Sequence, residues 1–296
     1  MRVVLTGSSG RVGRAIFNAL APGCHVIGID RSPASTTEIV SDFSDEGLLR
    51  RVCDGADAIT HVAAPHAPHV GILADNEFVR INADGTRLLA ESAMRFGVQR
   101  FVFTSTTALY GHAISKGRCT RIDENTLPQP KSIYHQTKLA AERVLEDLAS
   151  SAFAVRVLRM SRCFPEPGNI MAVYRLHRGV DVRDVASAHF QALTNEGPVF
   201  QRHIISGATP FSLTDCDTLE SNAASVIEHR ASALAGAFKK RGWRLPTAID
   251  RVYQSSRAHS DLDWRPHFSF DEVLAQLDRQ SLEVLPYGSP VSRTPE

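Results

Sequence analysis

Gly7-Ser8-Ser9-Gly10-Arg11-Val12-Gly13 follows directly on Met1-Arg2-Val3-Val4-Leu5-Thr6. An apolar run, three glycines spaced three apart, and a helical pattern in Ala15, Ile16, Ala19 and Leu20 read as strand, tight turn and helix. That order predicts a pyrophosphate site. Gly7 permits the turn, Gly10 lets the backbone approach the phosphates, and Gly13 lets the helix lie against the sheet. The free N–H groups at the helix start then face the anion. A second apolar run, His25 to Ile29, ends in Asp30, 23 residues after Gly7. A carboxylate there accepts both ribose hydroxyls of an adenosine and repels a 2′-phosphate, which favours NAD over NADP. The neighbouring Arg31 weakens that preference without reversing it.

Outward from this motif, strand patterns at Arg2–Thr6, His25–Ile29, Ala58–Val62, Arg100–Thr104 and Ala154–Arg159 alternate with helical ones at Arg11–Leu20, Glu46–Cys53, Asn76–Phe96 and Ile133–Ser150. Such alternation with short connections predicts an α/β fold, a Rossmann-type doubly wound parallel sheet with ligands beyond the carboxyl ends of its strands. The alternation weakens after Phe164. Residues 1–163 are expected to form the NAD-binding domain, with 180–206 (helix Val182–Thr194, strand His203–Ser206) returning to it. Residues 164–179 and 207–285 are expected to form a small substrate lobe, mostly helical from Ser212 to Lys240 and ending in a helix Asp271–Leu282. The tail 286–296 has the composition of a disordered segment.

The bulk numbers exclude several classes. The 296 residues are 43% hydrophobic, enough for one large domain with an appendage. A net charge of +1 offers nothing to nucleic acid or an anionic membrane. No apolar stretch approaches the roughly 18 residues of a membrane span, and with a strand expected at the first residues no signal peptide is expected. Cys24, Cys53, Cys119, Cys163 and Cys216 are scattered and lack CxxC spacing, which points to a reduced cytoplasm and away from zinc. His66 and His69 follow the third strand and are placed to line a substrate pocket, but they lack the carboxylate or cysteine company a metal needs.

Tyr134-His135-Gln136-Thr137-Lys138 places a phenol and an ammonium one turn apart on one helix face. A free phenol titrates near pH 10, too high for a general base at neutrality, and an adjacent ammonium lowers that value. The same ammonium is placed to hold a ribose. About 30 residues earlier, Phe103-Thr104-Ser105-Thr106-Thr107-Ala108-Leu109-Tyr110-Gly111 ends a strand in hydroxyls able to bind a reacting oxygen.

Taken together, Gly7–Gly13, Asp30, Ser105-Thr106 with Tyr110-Gly111, and Tyr134–Lys138 resemble the extended short-chain dehydrogenases/reductases, the NAD-dependent epimerase/dehydratase group. Lesser matches are Asp42, where the family holds the adenine amine, His61-Val62-Ala63-Ala64 under the cofactor, and Asn82 near the active site. Val182-Arg183-Asp184-Val185 and Leu262-Asp263-Trp264-Arg265-Pro266 match later motifs. The resemblance covers roughly residues 1–280. It implies Tyr134 as base or acid, Lys138 as its partner, and Thr106 as the hydroxyl that orients substrate. It further implies that Gly7, Gly10, Arg11, Val12, Gly13, Asp30, Arg31, Asp42, Phe43, Ala63, Ala64 and Thr104 surround NAD. Helices Asn76–Phe96 and Ile133–Ser150 carry apolar residues on more than one face; in the family such a pair builds a homodimer.

Two departures narrow the activity. Dehydratases and decarboxylases of the group carry an acid just after the catalytic hydroxyl, where Thr107 and Ala108 stand here. Eliminating water requires a proton donor for the leaving hydroxyl, so these activities are disfavoured. Only Pro165 to Gly179 separates the strand near Arg159 from the helix containing Asp184, a shorter insert than nucleotide-sugar members use. The segment Arg159–Asn169 resembles uronate dehydrogenases, which hold a substrate carboxylate with an arginine. Arg175 and Arg178 are the candidates, with His66, Thr106 and Thr107 beside them. The expected function is NAD-dependent oxidation of a hydroxyl on a small sugar or sugar acid. A nucleotide-sugar epimerase and a non-catalytic NAD-binding regulator are the alternatives.

Overall fold

A computed structural model describes residues 1–115 and 117–290. Nine strands are present among them: β1 (Arg2–Thr6), β2 (His25–Asp30), β3 (Ile39–Val40), β4 (Ala58–His61), β5 (Arg100–Thr106), β6 (Thr120–Ile122), β7 (Ala154–Met160), β8 (Phe200–Ile205) and β9 (Arg251–Tyr253). Seven form one parallel sheet in the order β3-β2-β1-β4-β5-β7-β8. The order reverses between β1 and β4, where Thr6 pairs with His61. That reversal opens a crevice above the carboxyl ends of the strands.

The pleat of β1 explains why both faces are covered. Val3 and Leu5 pack on one side with Ile16 and Leu20 of helix Arg11–Leu20 and with Val185 and Leu193 of helix Val182–Thr194. Val4 points the other way, into a cluster with Leu48, Leu89, Phe101, Ala141 and Leu145. Helices on both faces require near-continuous apolar strands, which is what β1 and β5 are. The Trp264 motif anchors the far end of this layer: its indole N–H donates to the Asp184 carbonyl at 3.0 Å, and the Asp184 carboxylate accepts from the His267 and Phe268 backbone.

A third cluster, with Met171, Phe211, Leu234, Phe238 and Leu274, forms the small lobe around helices Gly168–Tyr174, Ala223–Arg230, Ser232–Lys240 and Phe270–Asp278. A two-stranded parallel ribbon, β6 with β9, joins this lobe to the segment that follows β5.

Several expectations need correction. Asn76–Phe96 is not one regular helix: Asp75–Phe78 and Gly85–Arg95 flank a π-helical stretch, Val79–Asp84. The wider turn brings Asn82 inward, where its amide donates to the Pro65 carbonyl and to the Thr137 hydroxyl, both at 3.1 Å. The outward positions of Gly85–Arg95 and Ile133–Leu148 are mostly charged (Arg87, Glu91, Arg95, Arg143, Glu146 and Asp147) rather than a second apolar face. Val79 and Met94 are the exposed large apolar residues of this region. The final helix ends at Asp278, short of Leu282. At the start of the tail the Tyr287 ring stacks on Trp243. Residues 291–296 of the expected disordered tail lie outside the described residues. No helix among the described residues is long and apolar enough to cross a membrane.

Candidate active site

A cleft of ≈ 900 Å³ runs from the glycine turn across the strand ends to the small lobe. At its first end, Gly7 has φ +75°, and a Cβ there would stand 2.6 Å from the Ala63 nitrogen. A Cβ on Gly13 would stand 1.9 Å from the Gly7 carbonyl oxygen. The cradle therefore closes only with glycine at both positions. Gly10 caps helix Arg11–Leu20 in extended backbone with no side chain over the helix start, which leaves its first N–H groups open to the cleft. Val12, Ala63 and Ala64 line the floor. The Asp30 carboxylate, at the end of β2, faces the cleft and accepts from the Ser9 and Ser32 backbone N–H groups, both at 3.0 Å. Arg31, Asp42 and Phe43 line the same end. Burial opposes ionisation of Asp42, but hydrogen bonds from Ser44 and the charges of Arg31 and Arg80 outweigh it, and its carboxyl lies below the usual range. Arg11 borders the cleft, yet its guanidinium is taken by Glu283 and the Cys163 carbonyl, so the glycine turn is tied to the C-terminal segment.

The central part carries Thr106, Tyr134 and Lys138. Ser132 caps helix Ile133–Leu148, and the helix aims Tyr134 and Lys138 at the end of β5. Tyr134 is 9% exposed and Lys138 3%. The Tyr134 phenol and the Thr106 side chain line the same part of the cleft and interact there. Thr106 in turn caps the 3₁₀ turn that follows β5, accepting from Ala108 N–H at 3.1 Å. Burial pushes Tyr134 up to about 12, with Thr106 drawing it partly back. Burial also takes Lys138 down to about 7, against the pull of Glu142. The expectation of a standing ammonium that acidifies the phenol is thus corrected: the site is too dry to hold that charge fully at neutrality. Thr107 is buried at the cleft wall, and the Thr104 hydroxyl is engaged with His189 Nε2 at 2.7 Å.

Behind these residues lies a buried network that the sequence did not flag. Glu142, one turn beyond Lys138, accepts from the Ser105 hydroxyl at 2.5 Å and from Arg159 Nη2 at 2.6 Å. Arg159 Nη1 also donates to the Tyr110 hydroxyl at 3.0 Å. Continuing the Tyr134, Lys138 spacing by four residues was the signal available for Glu142.

At the third end, His66 lines the cleft and stacks on Phe164, with ring centres 5.9 Å apart. Arg178 also lines it, its guanidinium 4.1 Å from the centre of the Tyr174 ring. Arg175 does not reach the cleft: it is 2% exposed and pairs with Asp181 at 3.2 Å, so its assignment to substrate is corrected. Lys131, Arg162, Arg251 and Tyr253 line this end as well and were not anticipated. They come from separate segments that only the folded chain brings together. A second cavity of ≈ 530 Å³ adjoins through the shared Arg178, and Arg118, Tyr174, Glu220, Phe238 and Arg244 line it too.

The chain matches the model of the NAD dependent epimerase/dehydratase family over residues 3–169. It is 32% identical over 162 residues to an NAD-dependent glucose-6-phosphate dehydrogenase of Haloferax volcanii, covering 47% of this chain and 60% of that protein. It is 28% identical over 183 residues to a uronate dehydrogenase of Pseudomonas syringae pv. tomato, covering 57% of this chain and 62% of that one. The chain thus spans less than two thirds of the length of these relatives. In solved structures the fold recurs in MoeE5 in complex with UDP-glucuronic acid and NAD, at a TM-score of 0.70 and 22% identity, covering 95% of this chain and all of that one. It recurs in the UDP-glucose 4-epimerase of Thermotoga maritima at a TM-score of 0.69 and 20% identity, covering 95% and 99%. With more than half of its length under the family model, and a glycine cradle and acidic strand end that fit the cofactor in the family's name, this chain belongs to the NAD dependent epimerase/dehydratase family.

Proposed function

We propose that the chain is an NAD-dependent dehydrogenase that oxidises a hydroxyl on a small sugar or sugar acid. The observation that carries this reading is that Thr106, Tyr134 and Lys138 line the middle of one cleft, between the glycine turn and Asp30 on one side and the arginines near the small lobe on the other. The glycine turn and Asp30 would hold NAD, which when bound supplies the electron-pair acceptor for the oxidised carbon. Thr106 positions the substrate hydroxyl against Tyr134. Tyr134 takes its proton, a transfer favoured when positive charge stands beside the phenol. Lys138, poised near neutrality, holds the ribose and supplies that charge when protonated. Arg178 brings a guanidinium to the substrate end suited to a carboxylate or phosphate, beside Arg162 and Arg251, which pair with Glu166 and Asp250. Assembly as a homodimer belongs to the same reading: exposed Val79 and Met94 with partly exposed Leu139 and Ala140 would supply small apolar contacts among the charged outward positions, and sedimentation at several concentrations tests it.

A nucleotide-sugar epimerase is the second reading. The adjoining ≈ 530 Å³ cavity favours it, since the small lobe there offers room and arginines beyond the sugar position. A panel of sugars, sugar acids, sugar phosphates and nucleotide sugars, followed by NADH absorbance, separates the two: an epimerase leaves no net NADH.

A further inference from the structure

One buried ion pair reaches the chain on both sides of Thr106. Ser105 stands opposite Arg159 in the β5–β7 ladder, on the rung before the last. Glu142, on helix Ile133–Leu148, lays its carboxylate across that rung. It accepts from the Ser105 hydroxyl at 2.5 Å and from Arg159 Nε and Nη2 at 3.1 and 2.6 Å. Arg159 Nη1 donates to the Tyr110 hydroxyl at 3.0 Å, and that hydroxyl donates to the Asp123 carbonyl at 3.0 Å. Ser105 immediately precedes Thr106, and Tyr110 lies inside the 3₁₀ turn Thr107–Ala113 that Thr106 caps. The pair thus grips the chain before and after Thr106, and Glu142 fastens both grips to the helix that carries Tyr134 and Lys138.

These contacts are buried: Ser105, Tyr110, Glu142 and Arg159 are all inside the protein, and Arg202 Nε stands 3.5 Å from Glu142. Burial strips both ions of water, so a buried ion pair is often no more stabilising than apolar side chains of similar volume. What it supplies is direction, because charge-assisted bonds to a planar guanidinium fix angles as well as distances. Glu142, Arg159 and Tyr110 do not line the cleft, so they do not touch what binds there. The other face of β5 is held too, by Thr104 and His189 at 2.7 Å.

We propose that Glu142 and Arg159 are positioning residues: their ion pair sets the turn that presents Thr106 against the helix that presents Tyr134 and Lys138. The role rests on the dehydrogenase reading above, in which Thr106 and Tyr134 meet one substrate hydroxyl. A shift of about 1 Å between such groups can cost about a hundredfold in rate.

The test uses the full chain. Ser105→Ala cuts the grip before Thr106 and Tyr110→Phe the grip after it. Each leaves the ion pair in place, whereas Glu142→Ala would strand a buried guanidinium. Hydrogen exchange at the Ala108 N–H, which donates to Thr106 Oγ1 at 3.1 Å, reports the turn without any turnover. In each variant it should quicken roughly tenfold, the equivalent of about one hydrogen bond, and more than the Val4 and Leu5 amides of β1. Turnover should fall about ten- to a hundredfold, with KM and the NAD dissociation constant within about twofold of wild type. A pair that only stabilises the fold would quicken Ala108 and β1 alike and leave kcat intact, and that result would overturn the proposal. So would unchanged exchange at Ala108 in both variants. A wild-type chain that forms NADH from no sugar would sink the dehydrogenase reading instead, and exchange at Ala108 would still decide whether the pair holds Thr106.

Discussion

Lys138 Nζ lies 4.1 Å from the centre of the Phe103 ring, inside the sheet-facing wall of the cleft. An amine sealed against an aromatic face loses its water and recovers only part of that loss from the ring and from Glu142. The lysine to which the proposed chemistry gives a role is therefore a cost to folding. The native group titrates at about 7 against an ordinary 10.5, so between those values the unfolded chain holds a proton that the native chain lacks. Stability contributed at this position rises with pH across that window, and the penalty is full below about pH 7.

Lys138→Met should accordingly stabilise the protein near pH 7, by on the order of 3 kcal/mol, while abolishing turnover. The gain should shrink as pH approaches 10. Denaturant unfolding of both proteins at pH 7 and pH 10 checks it; a variant less stable than wild type at pH 7 contradicts the burial argument.

Tyr134→Phe removes the phenol without disturbing the cradle at Gly7 and Gly13. NAD affinity should hold, and turnover should fall about 10² to 10⁴-fold, the usual contribution of a positioned acid–base group. Steady-state rates beside NAD titration read both. Near-normal turnover would remove Tyr134 from the mechanism.

The distribution of these groups shows what a linear chain reveals. The glycine turn, Asp30, Thr106, Tyr134 and Lys138 were legible because each sits at a fixed offset within one element or at the end of one strand. Arg175 and Arg178 looked equivalent, three residues apart just beyond one short helix, and only packing separates them. One turns inward to Asp181 and the other lies over Tyr174 at the cleft. β3, β6 and β9 are two or three residues long, too short to carry an alternation. The π-helical turn at Val79–Asp84 answers the inward pull on Asn82, a tertiary demand that no local propensity encodes.

That separation of the two arginines is testable. Arg175→Met should lower stability by about 1–3 kcal/mol by stripping a buried partner from Asp181, and it should leave KM unchanged. Arg178→Met should raise KM for an acidic sugar roughly tenfold or more and leave a neutral sugar almost untouched. Unfolding curves and KM values for an acidic and a neutral substrate decide the matter; a KM effect confined to Arg175→Met would reverse the correction.

Cofactor choice rests on Asp30. Its carboxylate, already fixed by Ser9 and Ser32, should make NAD bind more tightly than NADP, and Asp30→Asn should narrow the gap. Paired dissociation constants test this, and equal affinities in the wild type would mean that Arg31 governs recognition.

The central claim is net oxidation of a small, acidic sugar. Its most direct measurement is NADH formed by the purified chain from free sugar acids and sugar phosphates, set beside calorimetry with UDP- and GDP-sugars. The account predicts NADH accumulating with at least one free acidic sugar and no micromolar binding of a nucleotide sugar. Micromolar binding of a nucleotide sugar, with no NADH from any acidic sugar, would contradict it and give the site to an epimerase.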